Sequence, residues 1–334
     1  MNTHRDQVTR SRDFRKSLKE EAKNDRSIQL VVFDMQKTML CPHGEASSFY
    51  YSPRLKIWNL TCTSLINLDS TCFVWSEADA KKGSREVATC VYNYLEELNN
   101  IGGIKTIYLF CDRCIGQNNN HTVLVMLSIA INKFDFDKIV LCYLVTGHSQ
   151  TEADSTHSTI ETFIKPRIIS DMAEMVTCIR QAFVNHKATV NRLTFDKIYN
   201  FNVGIDDVFK EFLTSDKFYK LTSGKQVKLK LTEIMNAEFD KKFPGSMFVK
   251  FNYNEDAPSY SIDVFKNTRR NISIVKNLVL PKQYTQSPGI SLKKKNALLK
   301  LCKRYNVVDS SFHPFYENLP EAHVDGSSQD AEIE

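Results

Sequence analysis

The sequence predicts an α/β protein, a mixed sheet flanked by helices and followed by a smaller α+β region. Three observations predict it. Three strand-like runs joined by short loops open the folded part, helices then alternate with strands, and each strand is a short apolar run rich in β-branched and aromatic residues. Early strands with short connections form an antiparallel meander, whereas helical crossovers add parallel strands. One mixed sheet with helices on both faces accommodates both.

The elements follow in order. Residues 1–26 hold eight Lys/Arg and five Asp/Glu with few large apolar side chains, which predicts a charged N-terminal arm or helix over 1–27. The run Ile28-Gln-Leu-Val-Val-Phe-Asp34 is a buried strand, and a Pro42/Gly44 loop ends it. Residues 48–64 are expected to be a second extended segment, and Cys72-Phe-Val-Trp-Ser76 a third short strand. Gly83-Ser84 opens a helix to about Leu98, because Val87, Cys90, Val91, Tyr94, Leu95 and Leu98 recur at helical spacing. A strand over 106–112, a Gly116-Gln-Asn-Asn-Asn120 turn, a helix over 121–132 and a strand over 138–145 come next. Gly147-His148 breaks that strand, and a helix starts near Thr151.

From residue 188 the pattern becomes α+β, with aromatic-rich strands at 246–253 and 260–265 and a basic amphipathic helix from Ser291 to Tyr305. The organisation expected is an N-terminal arm (1–27), an α/β domain (28–187), a basic α+β region (188–319) and a disordered acidic tail (320–334).

Composition bounds the function classes. A hydrophobic content of 42% with 21 Phe and 13 Tyr argues against general disorder. No apolar run approaches the roughly 18 residues of a membrane span. The polar start Met1-Asn-Thr-His-Arg-Asp lacks the apolar stretch of a secretory signal, so an intracellular protein, nuclear or cytoplasmic, is expected. Nine cysteines scattered through strand-like and helix-like segments fit reduced thiols better than a disulfide framework.

Acidic residues mark the candidate site. Asp34 and Asp112 each lie at the end of a buried strand, where a charge is costly unless it is paired or binds metal. Glu86 falls in the first turn of a helix, a place the macrodipole favours with or without a metal. Asp154 belongs to Thr151-x-x-Asp154, which is both a capping box and a position able to present a carboxylate to a cation. Asp154, His157 and Glu161 share one helix face, with His157 placed to orient Asp154 from behind. His148 stands at a strand end, where it could order a water or leaving group. Four carboxylates delivered to one sheet edge form the layout of a two-metal phosphodiester-cutting site, and their hard oxygens suit Mg²⁺ or Mn²⁺. Cys111-x-x-Cys114 has zinc-knuckle spacing but lacks a second close pair, and Cys111 alternates with Asp112 across its strand.

The strand and helix order, with Phe33-Asp34-Met-Gln36-Lys37, Trp75-Ser-Glu77, Gly83-Ser84-Arg-Glu86, Asp112-Arg-Cys114-Ile-Gly116-Gln117-Asn118-Asn-Asn120 and the run Gly147 to Glu161, resembles the ribonuclease-H-like fold of DDE/D transposases, integrases and nucleases. The same motifs look like an uncharacterised, transposon-related domain family abundant in arthropod genomes. The resemblance covers roughly residues 1–320. It implies metal-dependent cleavage or strand transfer on nucleic acid, with Asp34, Asp112 and Asp154 as ligands and Glu86 and His148 as further members of the site. Arg113 stands where a neutral Asn is usual, so its cation could compete with a metal for Asp112. A catalytically silent, domesticated module that binds nucleic acid or a partner protein is the alternative.

Charge distribution points to the same partner. From Val264 to Arg304 there are eleven basic residues and no acid. Among them, Arg269, Arg270, Lys293, Lys294 and Lys295 are the candidate nucleic-acid contacts, provided they share one face.

Overall fold

A ten-stranded mixed sheet forms the centre of the computed structural model, which describes residues 2–147, 150–184, 186–202, 208–210, 218–220, 226–254, 256–304 and 307–322. Helix α1 (Asn2–Asn24) precedes β1 (Ile28–Met35), β2 (Met39–Cys41), the short α2 (Ser48–Tyr51), β3 (Leu55–Ser64) and β4 (Ser70–Ser76). Then come α3 (Ser84–Ile101), β5 (Thr106–Cys111), α4 (His121–Lys133), β6 (Lys138–Tyr143), α5 (Glu152–Ile164) and α6 (Met172–Gln181). The remainder is β7 (Ala188–Arg192), β8 (Phe218–Lys220), β9 (Gln226–Lys228), β10 (Asn236–Asp240), β11 (Ser246–Lys250), β12 (Tyr260–Asp263), α7 (Thr268–Lys276), α8 (Leu292–Arg304) and α9 (His313–Glu317).

The strand order is β12-β11-β10-β6-β5-β1-β3-β4-β7, with β2 beside β3 and a separate β8–β9 ribbon. The strands β1, β3 and β4 form the antiparallel meander. Helical crossovers then add β5 and β6 parallel to β1, so the C-terminal ends of β1, β5 and β6 share one sheet edge.

Alternation along β1 divides the core. Val31 and Phe33 pack with Val87, Val91 and Leu124 of α3 and α4, whereas Leu30 and Val32 pack with Leu18 and Ala22 of α1 and Ala153 of α5. Each fully buried side chain of this kind contributes about 1.5–3 kcal/mol. Asp34 continues the second series, so it emerges on the face covered by α1 and α5.

Several sequence expectations change. Residues 48–51 form a helical turn instead of extended chain: Phe49 is buried, its amide donates to Ala46 O, and the strand begins only beyond Pro53. The charged N-terminal segment is a docked helix, because Val8, Leu18 and Ala22 bury one side of it. The boundary expected at residue 188 falls inside one sheet. Strand β7 pairs with β4 and β10 with β6, so β7 and β10 to β12 complete the same layer and satisfy its edge amides. Helix α6 was not anticipated, although Asp171 caps it at Glu174 N and Met172, Met175 and Ile179 recur at helical spacing.

The C-terminal segment returns to the body through Gly289, whose φ is +66° and where an added Cβ would lie 2.5 Å from the Glu321 backbone carbon. Ile290 pairs there with Glu321, the last stretch before residues 323–334, where most of the expected acidic tail lies outside the described residues. Among the described residues no helix is long and apolar enough to cross a membrane.

Candidate functional site

Strand register brings the first two acids together. The last β1–β5 pair is Val32 opposite Phe110, and two residues further along each strand stand Asp34 and Asp112. Both therefore project to the face that carries Leu30, Val32, Tyr108 and Phe110, and Cys111 turns into the opposite core. Helix α5 crosses this face over β1 and β3 and supplies Asp154 and His157 from its first two turns.

A carboxylate oxygen of Asp34, one of Asp154 and a ring nitrogen of His157 lie within 4.8 Å of one another. His157 Nδ1 is 3.9 Å from Asp34 Oδ2. Burial pushes the Asp34 carboxyl up to about 7, and the negative charges of Asp112 and then Asp154 add to the rise. The Met35 amide and Lys82 pull it back only in part. Burial pushes His157 down to about 4 against the pull of Asp154, so the imidazole is neutral at pH 7.

Each of the other carboxylates is held in place. Asp112 Oδ1 accepts from the Cys114 amide at 3.2 Å and from Asn118 Nδ2, and Asn118 O in turn accepts from the buried Tyr143 hydroxyl. Asp154 Oδ2 accepts from Thr151 N at 2.6 Å, the reciprocal half of a capping box. Capping and convergence thus use the same carboxylate. In the Asn118-Asn119-Asn120 turn, Asn120 caps α4 at Val123 N and Asn118 braces Asp112.

The residues fit a divalent cation. Donors bound to one ion at about 2.0–2.3 Å lie roughly 3–4.5 Å apart, a little closer than the 4.8 Å within which these three lie, so small side-chain movements would close the site. Nε2 of His157 is also buried with no hydrogen-bond partner among the described residues. Two carboxylates with one imidazole suit Mn²⁺ better than a purely oxygen-seeking Mg²⁺.

Not every expected member joins. Glu86 is buried on α3, which packs on the opposite face, and its Oε1 accepts from Tyr284 at 2.7 Å. The charges acting on Asp34 are those of Asp112, Asp154 and Lys82. His148 lies outside the described residues. Arg113 does not compete for Asp112, because its guanidinium turns to the Ile234 carbonyl at 2.7 Å.

The basic stretch does not form one patch. Helix α7, which carries Arg269 and Arg270, packs on α4, with Val275 in the core on that side. Helix α8 buries Leu298 and Cys302 with α5 and α6 on the other. Lys294 pairs with Glu77 at 2.5 Å and Lys295 with Glu321 at 3.0 Å, leaving Lys293 exposed. The spacing of α8 is amphipathic as expected, but two of its three leading lysines are already neutralised.

Sequence reasoning placed His157 behind Asp154 as an orienting group. The structure places it across from Asp34, a contact between residues 123 apart that helical spacing cannot reveal. Gln36 was likewise missed. It donates to the His157 carbonyl at 3.3 Å and accepts from Asn59 at 2.9 Å, so it ties β1, β3 and α5 beneath the site.

Comparison with curated proteins and with solved structures gives no match. One family's sequence model matches residues 63–237, a span that takes in Asp112, Asp154 and His157, leaves Asp34 outside and runs across residue 188. With half of its length matched, the chain belongs to the family described as domain of unknown function DUF7869.

Proposed function

We propose that this chain is a transposon-derived, ribonuclease-H-like protein that cleaves or transfers phosphodiester strands of nucleic acid with a divalent cation, Mg²⁺ or Mn²⁺. The observation that carries the reading is the gathering of Asp34, Asp112 and Asp154 on one sheet face, where burial and then the other two charges raise Asp34 to about 7. Like charges held together in a half-buried place oppose folding unless a cation joins them. The topology supports the same reading: an antiparallel meander, then helix-linked parallel strands whose ends carry the acids.

Asp34 feels the charges of both other acids and would be the ligand shared with each of them. Asn118 and the Cys114 amide fix one oxygen of Asp112, and Thr151 fixes one oxygen of Asp154. His157 offers a neutral nitrogen beside them. A bound cation would supply an activated water or 3′-hydroxyl and stabilise the leaving oxygen of an in-line displacement. The protein's own contribution is to hold its donors before the substrate arrives.

The test is incubation of the purified chain with labelled DNA and RNA in Mg²⁺ or Mn²⁺. Cleavage or joining is expected, and Asp34→Asn and Asp112→Asn should each lower the rate by more than about a hundredfold with the fold intact. No metal-dependent reaction on any substrate would replace this reading with the silent binding module.

A further inference from the structure

We infer that one flank of α1 is a clamp for the nucleic-acid backbone, running beside a cleft that opens onto Asp154. The inference rests on the phosphodiester reading for its partner and deepens it. At 100° per residue, Arg5, Arg12, Lys16, Lys19 and Lys23 fall within an arc of about 60°, a stripe about 27 Å long. Asp6, Asp13, Glu20 and Glu21 fall on the next arc, away from the packed side, with Arg10 as the one cation among them, so the two signs are largely segregated along the helix.

The stripe borders the packed side, and its position relative to the site is fixed. Glu152 at the start of α5 accepts from Lys19 Nζ at 2.7 Å and from Arg15, which joins α1 to the helix that delivers Asp154. Between them lies a cleft of about 510 Å³, lined by Ser11, Arg12, Arg15, Gln150 and Asp154 among others. A strand whose scissile phosphate reached the carboxylates would lay its neighbouring phosphates along Arg12 and Lys16.

The contrast with α8 makes the case. There, three of the five lysines, Lys294, Lys295 and Lys303, are paired with a carboxylate, and the unpaired Lys293 and Lys300 are seven residues apart. On α1, Lys19 is paired with Glu152 and Lys23 with Glu20, but Arg5, Arg12 and Lys16 make no ion pair among the described residues. Counterions on such cations are released when phosphates replace them, so binding through the stripe is steeply salt-dependent.

The experiment measures affinity for a labelled single-stranded oligonucleotide and a labelled duplex, with Ca²⁺ so that no strand is cut, across a range of salt. Wild type is compared with the double variant Arg12→Gln, Lys16→Gln and with Lys293→Gln. Both α1 residues are exposed, so an unchanged thermal midpoint checks the fold. The double variant should flatten the log–log salt slope by about 1.4 on single strands and about 1.8 on duplex, so its affinity falls about seven- to twelvefold less between 50 and 200 mM salt. Lys293→Gln should leave the slope unchanged. An unchanged slope in the double variant, or no binding by wild type, overturns the clamp. A protein that cuts with an unchanged slope loses only the clamp, whereas one that binds through α1 but never cuts loses only the phosphodiester reading.

Discussion

The Nδ1 of His157 stands 3.9 Å from Oδ2 of Asp34, a neutral imidazole facing a carboxyl that burial and two neighbouring acids hold near neutrality. In the absence of a cation neither group is comfortable. A single positive ion between them and Asp154 would relieve the repulsion among the acids.

Their proton linkage runs in opposite directions. Asp34 is raised to about 7 from an unfolded value of about 3.9, so its folded form keeps a proton that the unfolded form has lost, and stability falls as pH rises through that window. His157 is lowered to about 4 from about 6.5, so stability rises with pH between those values. In metal-free wild type the two trends oppose each other between about pH 4 and 6.5. Asp34→Asn should therefore gain stability relative to wild type as pH rises from 4 to 7, by at most about 4 kcal/mol. His157→Gln should lose stability relative to wild type as pH rises from 4 to 6.5. Denaturant melts of the three proteins across that range check both signs, and parallel curves would contradict the pair.

Metal preference should follow the donor set. Mn²⁺ is expected to stabilise the protein more than Mg²⁺ at equal concentration, with about 2.7 kcal/mol gained at a hundredfold excess over its Kd. His157→Gln should narrow the gap between the two ions, while Asp34→Asn should abolish both gains. Thermal melts with each ion read this directly. Equal responses of wild type and His157→Gln would remove His157 from the ligand set.

The asparagine turn separates bracing from capping. Asn118→Ala removes a hydrogen bond to a carboxylate and frees Asp112, so it should cost about 1.5–3 kcal/mol and also weaken Mn²⁺ binding. Asn120→Ala removes the α4 cap and the hydrogen bond that Asn120 Nδ2 donates to the Ile115 carbonyl, at a cost of about 1–2 kcal/mol, and should leave Mn²⁺ affinity intact. Equal effects on metal affinity would mean that Asp112 needs no brace.

Much of the frame was legible in local patterns. Short apolar runs and a period of 3.6 located β1, β3 to β6 and α3 to α5, and the position of Asp34 and Asp112 at strand ends followed from where their apolar runs stopped. That α5 would lie over β1 was not legible, because its seat is the buried polar layer of Asn59, Thr61 and Thr63 on β3, met by Thr156 of the helix. The pairing of β10 with β6 joins segments about 100 residues apart and leaves no local signal. A charge count along the chain also misjudged the basic stretch, since Glu77 and Glu321, far away in sequence, neutralise Lys294 and Lys295.

Gly289 should tolerate no side chain. Its positive φ and the Glu321 backbone at 2.5 Å from an added Cβ predict that Gly289→Ala destabilises by about 1–3 kcal/mol, seen as a lower denaturation midpoint without loss of metal binding. A neutral result would mean that residues 289–322 shift freely against the body.

Whether Asp34, Asp154 and His157, with Asp112 on the same sheet face, form a divalent-cation site is read by calorimetric Mn²⁺ titration of wild type and Asp34→Asn at pH 6 in buffers of different ionisation enthalpy. Asp34 is still largely protonated at that pH, so wild type should bind Mn²⁺ and release about one proton per site, while the variant should bind weakly and release none. Equal binding and equal proton release by the two proteins would place the metal elsewhere, and absence of binding by wild type would contradict the account outright.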